Sequence, residues 1–226
     1  MRISTWVASL SIIGTAAATL LLANPAFAST SSVIMKAGVQ GPAVATLKTD
    51  LKVLHDYPKS VKVTDYYGPR TAHAVIEFKK ERKLGSNDAV TYSVFDDIKS
   101  DAAHTLGEQI VQKALTYLGD PYVWGGTSPS GFDCSGFAQY VYKQFGMDIP
   151  RTAAAQATVG TYVAKEDLQP GDLVFFHTMG YGISHVGIYM GNGLFVDAAS
   201  TDVEIDNINN PYYWSSRYVT ARSLLN

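Results

Sequence analysis

Tyr122-Val123-Trp124-Gly125-Gly126, followed by Gly131-Phe132-Asp133-Cys134-Ser135-Gly136-Phe137, is the stretch on which the reading of this chain depends. Cys134 is its only cysteine. It follows glycine-bearing turns and opens the apolar run Phe137-Ala138-Gln139-Tyr140-Val141-Tyr142, which stops at Gly146. The pattern predicts a loop feeding a helix whose first turn carries the thiol. A helix start presents unpaired N–H groups and a partial positive charge, and both favour a thiolate, so a pKa below the free value of about 8.5 is expected for Cys134. A small, buried, apolar role is the other reading open to a lone cysteine.

Outward from this stretch, Ile110, Val111, Ala114, Leu115 and Leu118 share one face and predict a helix over 107–118, ended by Gly119-Asp120-Pro121. After the Cys134 helix, residues 149–156 suggest a short helix. Leu168-Gln169-Pro170-Gly171-Asp172 turns into Leu173-Val174-Phe175-Phe176, whose unbroken apolar run predicts a strand buried on both faces. Two further strands are expected at 183–190 and 194–199, joined at Gly191-Asn192-Gly193. Their register carries chemistry. A plain two-residue turn would set His185 and Asp197 on opposite sides, whereas an odd loop or a bulge at Gly193 sets them on one face as neighbours. The odd loop or bulge is expected.

The chain has 226 residues and a formal net charge of −2, with no basic excess to suggest nucleic acid. Arg2, the apolar run 3–22 and Asn24-Pro25-Ala26-Phe27-Ala28 read as a secretory signal cut after Ala28. A retained membrane anchor is the rival reading of that run. One cysteine allows no internal disulfide, and an unpaired thiol in a secreted chain suggests a reactive one. Early in the chain, Val44, Leu47, Leu51 and Leu54 follow Gly41-Pro42 at helical spacing. A second helix starts at Pro69, with Ala72, Val75, Ile76 and Phe78 inward, Lys79, Lys80, Arg82 and Lys83 in its last turns, and Gly85 as its stop. A third, over 92–98, takes Thr91 as its cap. A linker is expected at 99–105.

A cysteine nucleophile needs a base in reach and a third group to orient that base. Cys134, His185 and Asp197 supply such a set. Asp197 lies among Leu194-Phe195-Val196 and Ala198-Ala199, where an unpaired carboxylate is costly and a partner is therefore expected. The backbone N–H of Cys134 and the hydroxyl of Tyr122 are candidates to meet an oxyanion. His55, His73, His104 and His177 show no ligand spacing with the one cysteine, so no metal and no cofactor is expected.

Two resemblances extend this. Lys36-Ala37-Gly38, Gly41-Pro42-Ala43-Val44, Tyr67-Gly68-Pro69-Arg70-Thr71-Ala72 and Ala74-Val75 to Phe78-Lys79 resemble the three-helix peptidoglycan-binding repeat, over about residues 33–100. Tyr122-x-Trp124-Gly125-Gly126, Asp133-Cys134-Ser135-Gly136-Phe137, Pro150-Arg151, Gln156, Leu168-x-Pro170-Gly171-Asp172-Leu173 and His185-Val186-Gly187-Ile188-Tyr189-x-Gly191 resemble the NlpC/P60 family of bacterial wall peptidases, over 104–226. The resemblance implies an α+β, papain-like domain with helices packed on a small antiparallel sheet, behind a small three-helix domain. It implies a secreted or wall-associated monomer acting on peptidoglycan, a cysteine endopeptidase cutting stem peptides between γ-D-glutamate and the next diamino acid. By motif position it makes Cys134 the nucleophile and His185 the base. It puts Asp197 where the family more often has a His, which leaves the pH range open. Tyr122, Asp133 and Ser135 fall near the substrate. Asp133 would either hold a free L-Ala amine or cap the helix. Arg151 and Gln156 would line the cleft or brace it. An amidase cutting at the stem's root, a transferase, and a wall-binding protein without catalysis are the alternatives.

Overall fold

The computed structural model describes residues 32–180 and 182–225. The expected leader, residues 1–28, lies outside them. The chain opens on β1 (Val33–Met35), followed by α1 (Pro42–Val53) and α2 (Pro69–Glu81). Both helices start on proline, whose missing N–H is unpaired in a first turn anyway. Leu47 and Leu51 of α1 pack with Val75 and Phe78 of α2 in a buried cluster. α2 is closed before Gly85. Lys83 takes the left-handed conformation at φ 58°, and the Leu84 N–H donates back to the Lys79 carbonyl. A short ladder that periodicity did not reveal pairs β1 with β2 (Val90–Thr91).

Thr91 caps the next helix, accepting from the Val94 N–H at 3.3 Å. That helix, α3 (Tyr92–Leu115), then runs on without a break. The linker expected at 99–105, with separate helices on either side, is therefore corrected to continuous helix. Scarcity of apolar residues suggests a loop there, but residues 99–106 hold no proline or glycine, and Ala102 is buried. Gly107 is tolerated within α3 because the Pro170 carbonyl approaches it. A Cβ at that position would stand 1.9 Å from the oxygen. Val94 and Ile98 belong to the first core, and Ile110, Val111 and Ala114 to the second. One helix thus serves two cores. No helix among the described residues is long and apolar enough to cross a membrane.

A tight hairpin, β3 (Thr127–Ser128) and β4 (Gly131–Phe132), leads into α4 (Cys134–Lys143), and α5 (Ala153–Gln156) follows. The remaining strands are β5 (Thr161–Val163), β6 (Leu173–Phe176), β7 (His185–Gly191), β8 (Leu194–Ala199), β9 (Asp202–Asn207) and β10 (Tyr218–Ser223). They form one six-stranded antiparallel sheet in the order β5-β10-β6-β7-β8-β9. β6 is buried on both faces, as its apolar run requires. On one face, Phe175, Val186, Ile188 and Val196 pack with Phe137 and Val141 of α4. On the other, Val174, Phe176, Tyr189 and Phe195 pack with Ile208 and Trp214.

The start of α4 lies hard against the preceding loop. A Cβ on Gly136 would stand 2.0 Å from the Gly126 carbonyl oxygen and 3.0 Å from Asp133 Oδ1. Gly136→Ala should therefore destabilise the protein by about 1–3 kcal/mol through overpacking. Helix propensity alone predicts a gain of about 1 kcal/mol. Urea unfolding separates the two, and a stabilised variant would contradict the close approach.

Candidate active site

Asp133 builds the platform for Cys134. It is the N-cap of α4, and its Oδ1 accepts from the Gly136 N–H at 2.7 Å. Its Oδ2 accepts from the Gly125 N–H at 3.0 Å, which fastens the glycine loop to the helix start. Arg151 donates a fork to both oxygens, Nη1 at 2.9 Å and Nη2 at 2.5 Å. Ser135 Oγ lies 3.3 Å from Oδ1 and accepts from Arg151 Nη1 at 3.0 Å. Burial opposes ionisation of Asp133. The Arg151 guanidinium and the Gly136 and Gly125 N–H groups outweigh it and hold the carboxyl below its usual range. Of the two roles open to Asp133 in the sequence, the cap is the one visible in the fold. Gln156, wholly buried, donates to the Ser135 and Pro150 carbonyls at 2.9 and 2.8 Å and braces the site from behind.

Cys134 is the first residue of α4 and is nearly buried. Its N–H is among those a helix start leaves without an intrahelical acceptor. Its Sγ lies 3.9 Å from the Ser184 carbonyl, next to the first residue of β7, His185. Sulfur and ring are near enough for Cys134 to contribute to raising the His185 pKa.

The strand register brings the remaining pair together. Ile188 pairs with Val196 and Tyr189 with Phe195, and the register then shifts before Gly191 pairs with Leu194. The irregularity falls on the β7 side, at Met190, rather than at Gly193. Its effect is the same: His185 and Asp197 share a face. His185 Nε2 lies 2.6 Å from Asp197 Oδ2. Asp197 is wholly buried, and its Oδ1 has no partner among the described residues. Gly187, whose position in the register faces Asp197, has to lack a side chain. A Cβ there would stand 2.3 Å from the Phe195 ring and 3.3 Å from Asp197 Cβ.

Burial alone would lower the His185 pKa. Its bond to Asp197 and the proximity of Cys134 outweigh that and push it up to about 10. Burial pushes Asp197 up to about 6, against the pull of the ring. Between those limits the pair is a carboxylate against an imidazolium. The ring is also held by packing, with Trp214 at a centroid distance of 5.0 Å and an angle of 36°, and Phe176 at 6.1 Å. The sequence alone does not single out Trp214. Pro211-Tyr212-Tyr213-Trp214 is conspicuous there, but nothing local ties it to His185.

A cavity of about 430 Å³ opens over Cys134 and His185, lined also by Tyr122, Trp124, Ser135 and Arg151. A second, of about 470 Å³, borders His185 but not Cys134 and shares Tyr122 with the first. The Tyr122 pKa is raised by burial and then by the charges of Cys134 and Asp133, as befits a hydroxyl beside both. A third cavity, of about 690 Å³, lies between α3 and β5 and touches none of these residues.

Two known families match parts of this chain. Residues 119–223 match the model of the NlpC/P60 family, and residues 40–87 match the model described as "Putative peptidoglycan binding domain". A gamma-D-glutamyl-L-lysine dipeptidyl-peptidase of Bacillus cereus is 41% identical over 146 residues, which is 63% of this chain and 42% of that protein. A protein of Listeria seeligeri named "Probable endopeptidase p60" is 50% identical over 100 residues, 44% of this chain and 19% of that one. The chain thus covers less than half the length of either relative. The crystal structure of an NlpC/P60 family protein from Bacillus cereus superposes with a TM-score of 0.50 at 40% identity, over 53% of this chain and 40% of that one. The α+β, papain-like class and the helical unit ahead of it are thus as the motifs imply. With its motifs, its sheet and these matches taken together, the chain belongs to the NlpC/P60 family, through residues 119–223.

Proposed function

We propose that this chain is a secreted peptidoglycan hydrolase working as a cysteine endopeptidase on cell-wall stem peptides, at the bond between γ-D-glutamate and the following diamino acid. Residues 1–28 serve as the signal peptide, 33–100 as the wall-binding unit and 104–226 as the peptidase, with α3 common to both units. The name of the Bacillus cereus relative, which specifies a γ-D-glutamyl-L-lysine bond, supports the choice of substrate. The observation that carries the reading is the imidazole of His185, placed between Cys134 and a wholly buried carboxylate.

The chemistry follows from that placement. His185 holds the proton of Cys134, leaving a thiolate beside an imidazolium. Sγ attacks the γ-carbonyl carbon, and the oxygen takes the charge. The Cys134 N–H and the Tyr122 hydroxyl donate to that oxygen. As the C–N bond breaks, His185 gives its proton to the departing amine, and a thioester remains. Water then loses a proton to His185 and attacks the thioester. The C–S bond breaks, releasing the carboxylate product and regenerating the thiolate. Asp133 and Ser135, tied to Arg151, line the acyl side and contact substrate there.

On purified peptidoglycan, the wild type should release peptides whose masses report a cut within the stem, and Cys134→Ala should release none. Undiminished release by the variant would overturn the reading, and a cut at the stem's root would point to an amidase instead. The pair of titrations sets a second outcome. kcat/KM should fall as pH drops through about 6, where Asp197 protonates, and again as pH rises through about 10, where His185 loses its proton. Asp197→Asn removes the larger of the two influences that raise the ring, leaving Cys134 to act against the burial that lowers it. Its alkaline limit should therefore drop well below 10, with activity reduced roughly 10²–10⁴-fold. An unchanged alkaline limb in the pH–rate profile would contradict the role of Asp197.

A further inference from the structure

The residue before His185 has each of its polar groups engaged. The Ser184 N–H donates to the Phe176 carbonyl at 3.0 Å and closes β6 onto β7. Its carbonyl lies 3.9 Å from Cys134 Sγ. Its Oγ accepts from the Thr178 N–H at 2.8 Å and from the Met179 N–H at 3.0 Å. Thr178 Oγ1 is 3.1 Å away. A hydroxyl has two lone pairs and one proton, and here the two N–H groups take the lone pairs. The Ser184 O–H therefore donates to Thr178 Oγ1, and the bonding capacity of this side chain is complete.

The Thr178–Met179 turn depends on that one oxygen. At the base of the turn His177 is fixed, since its N–H and its ring Nδ1 both meet the Arg217 carbonyl, at 2.9 and 2.8 Å. Beyond Met179, Gly180 and Gly182 take left-handed φ values of 67° and 75°, which glycine adopts freely and which add no stiffness. Among the described residues, the Ser184 hydroxyl is the acceptor for both the Thr178 and the Met179 N–H.

The cavity over Cys134 and the second cavity beside His185 have four residues in common: Tyr122, Thr178, Met179 and His185. These four therefore stand where one cavity opens into the other. A peptide cut by Cys134 extends to both sides of the scissile bond and passes them. Tyr122 and His185 already have parts in the chemistry. Met179 is 55% exposed, and its flexible, polarizable thioether suits contact with a chain passing beside it.

We propose that Ser184 is a positioning residue, holding the Thr178–Met179 turn where Met179 contacts substrate at the junction of the two cavities. The contact with substrate rests on the endopeptidase reading, and the hold on the turn rests on the hydrogen bonds alone. Contact of this kind is made alike in the ground state and the transition state, so it acts on KM and not on kcat.

The test combines cleavage of L-Ala-γ-D-Glu-L-Lys with amide hydrogen exchange read by NMR. Ser184→Ala removes the hydroxyl and keeps the backbone groups at Phe176 and Cys134. In that variant the Thr178 and Met179 amides should exchange about tenfold or more faster than in the wild type. KM should rise about five- to tenfold, with kcat within about twofold. Ser184→Thr keeps the hydroxyl and should stay near the wild type in both. Met179→Ala should raise KM by a similar factor and leave exchange at Thr178 as it was. A merely structural role would lower the folded fraction, and kcat with it, without moving KM. Unchanged exchange at both amides in Ser184→Ala overturns the hold on the turn, and a Ser184→Thr variant as loose as Ser184→Ala overturns its assignment to the hydroxyl. An unchanged KM in Ser184→Ala or Met179→Ala overturns the contact with substrate and leaves the endopeptidase reading standing. A wild type that leaves the peptide uncut overturns the endopeptidase reading and that contact with it, while the exchange rates still decide the hold.

Discussion

A carboxylate taken out of water must be met by a partner, and Asp197 is met on one oxygen only. Effective desolvation costs several kcal/mol per ion, and the one close bond to His185 is what offsets it. The arrangement is poor value as stability and effective as bias, because it keeps the imidazole charged over a wide pH range. Much of the surrounding sheet conforms to this pair. The register irregularity at Met190 sets the two residues on one face, Gly187 leaves room beside Asp197, and Trp214 and Phe176 pack against the ring.

The thiol is placed by a separate device. Asp133 gathers the glycine loop, the first turn of α4 and Arg151 on one carboxylate, and Gly126 and Gly136 allow loop and helix to touch. The two devices come from opposite sides of the second core and meet at Ser184–His185. Long-range order between them therefore depends on how α4 packs against β7. That packing is apolar, with Phe137, Val141, Val186 and Ile188 all wholly buried.

Much of this was legible in the chain. The helix over Cys134, the doubly buried strand, the hairpin and its parity all rest on local signals: a cap, an unbroken apolar run, and a turn of Gly191-Asn192-Gly193. The expected odd loop or bulge at Gly193 is met by a bulge at Met190 instead, since parity constrains the sum of paired positions and not which strand takes the extra residue. The linker expected at 99–105 is helix because that stretch, though poor in apolar residues, holds no helix breaker. β5, β9 and β10 are not legible in the sequence. Their polar alternation, Asp202-x-Glu204-x-Asp206 above all, reads as surface until the neighbouring strand shows what it faces. Trp214 depends on a contact between residues far apart in sequence, and no spacing rule reports that.

The account turns on whether the imidazole of His185 is held charged by its buried neighbour. NMR titration of the His185 ring in the intact protein measures this most directly. The ring should remain an imidazolium through neutral pH and lose its proton near pH 10. A ring that titrates at or below the ordinary value of 6.5 would contradict the account.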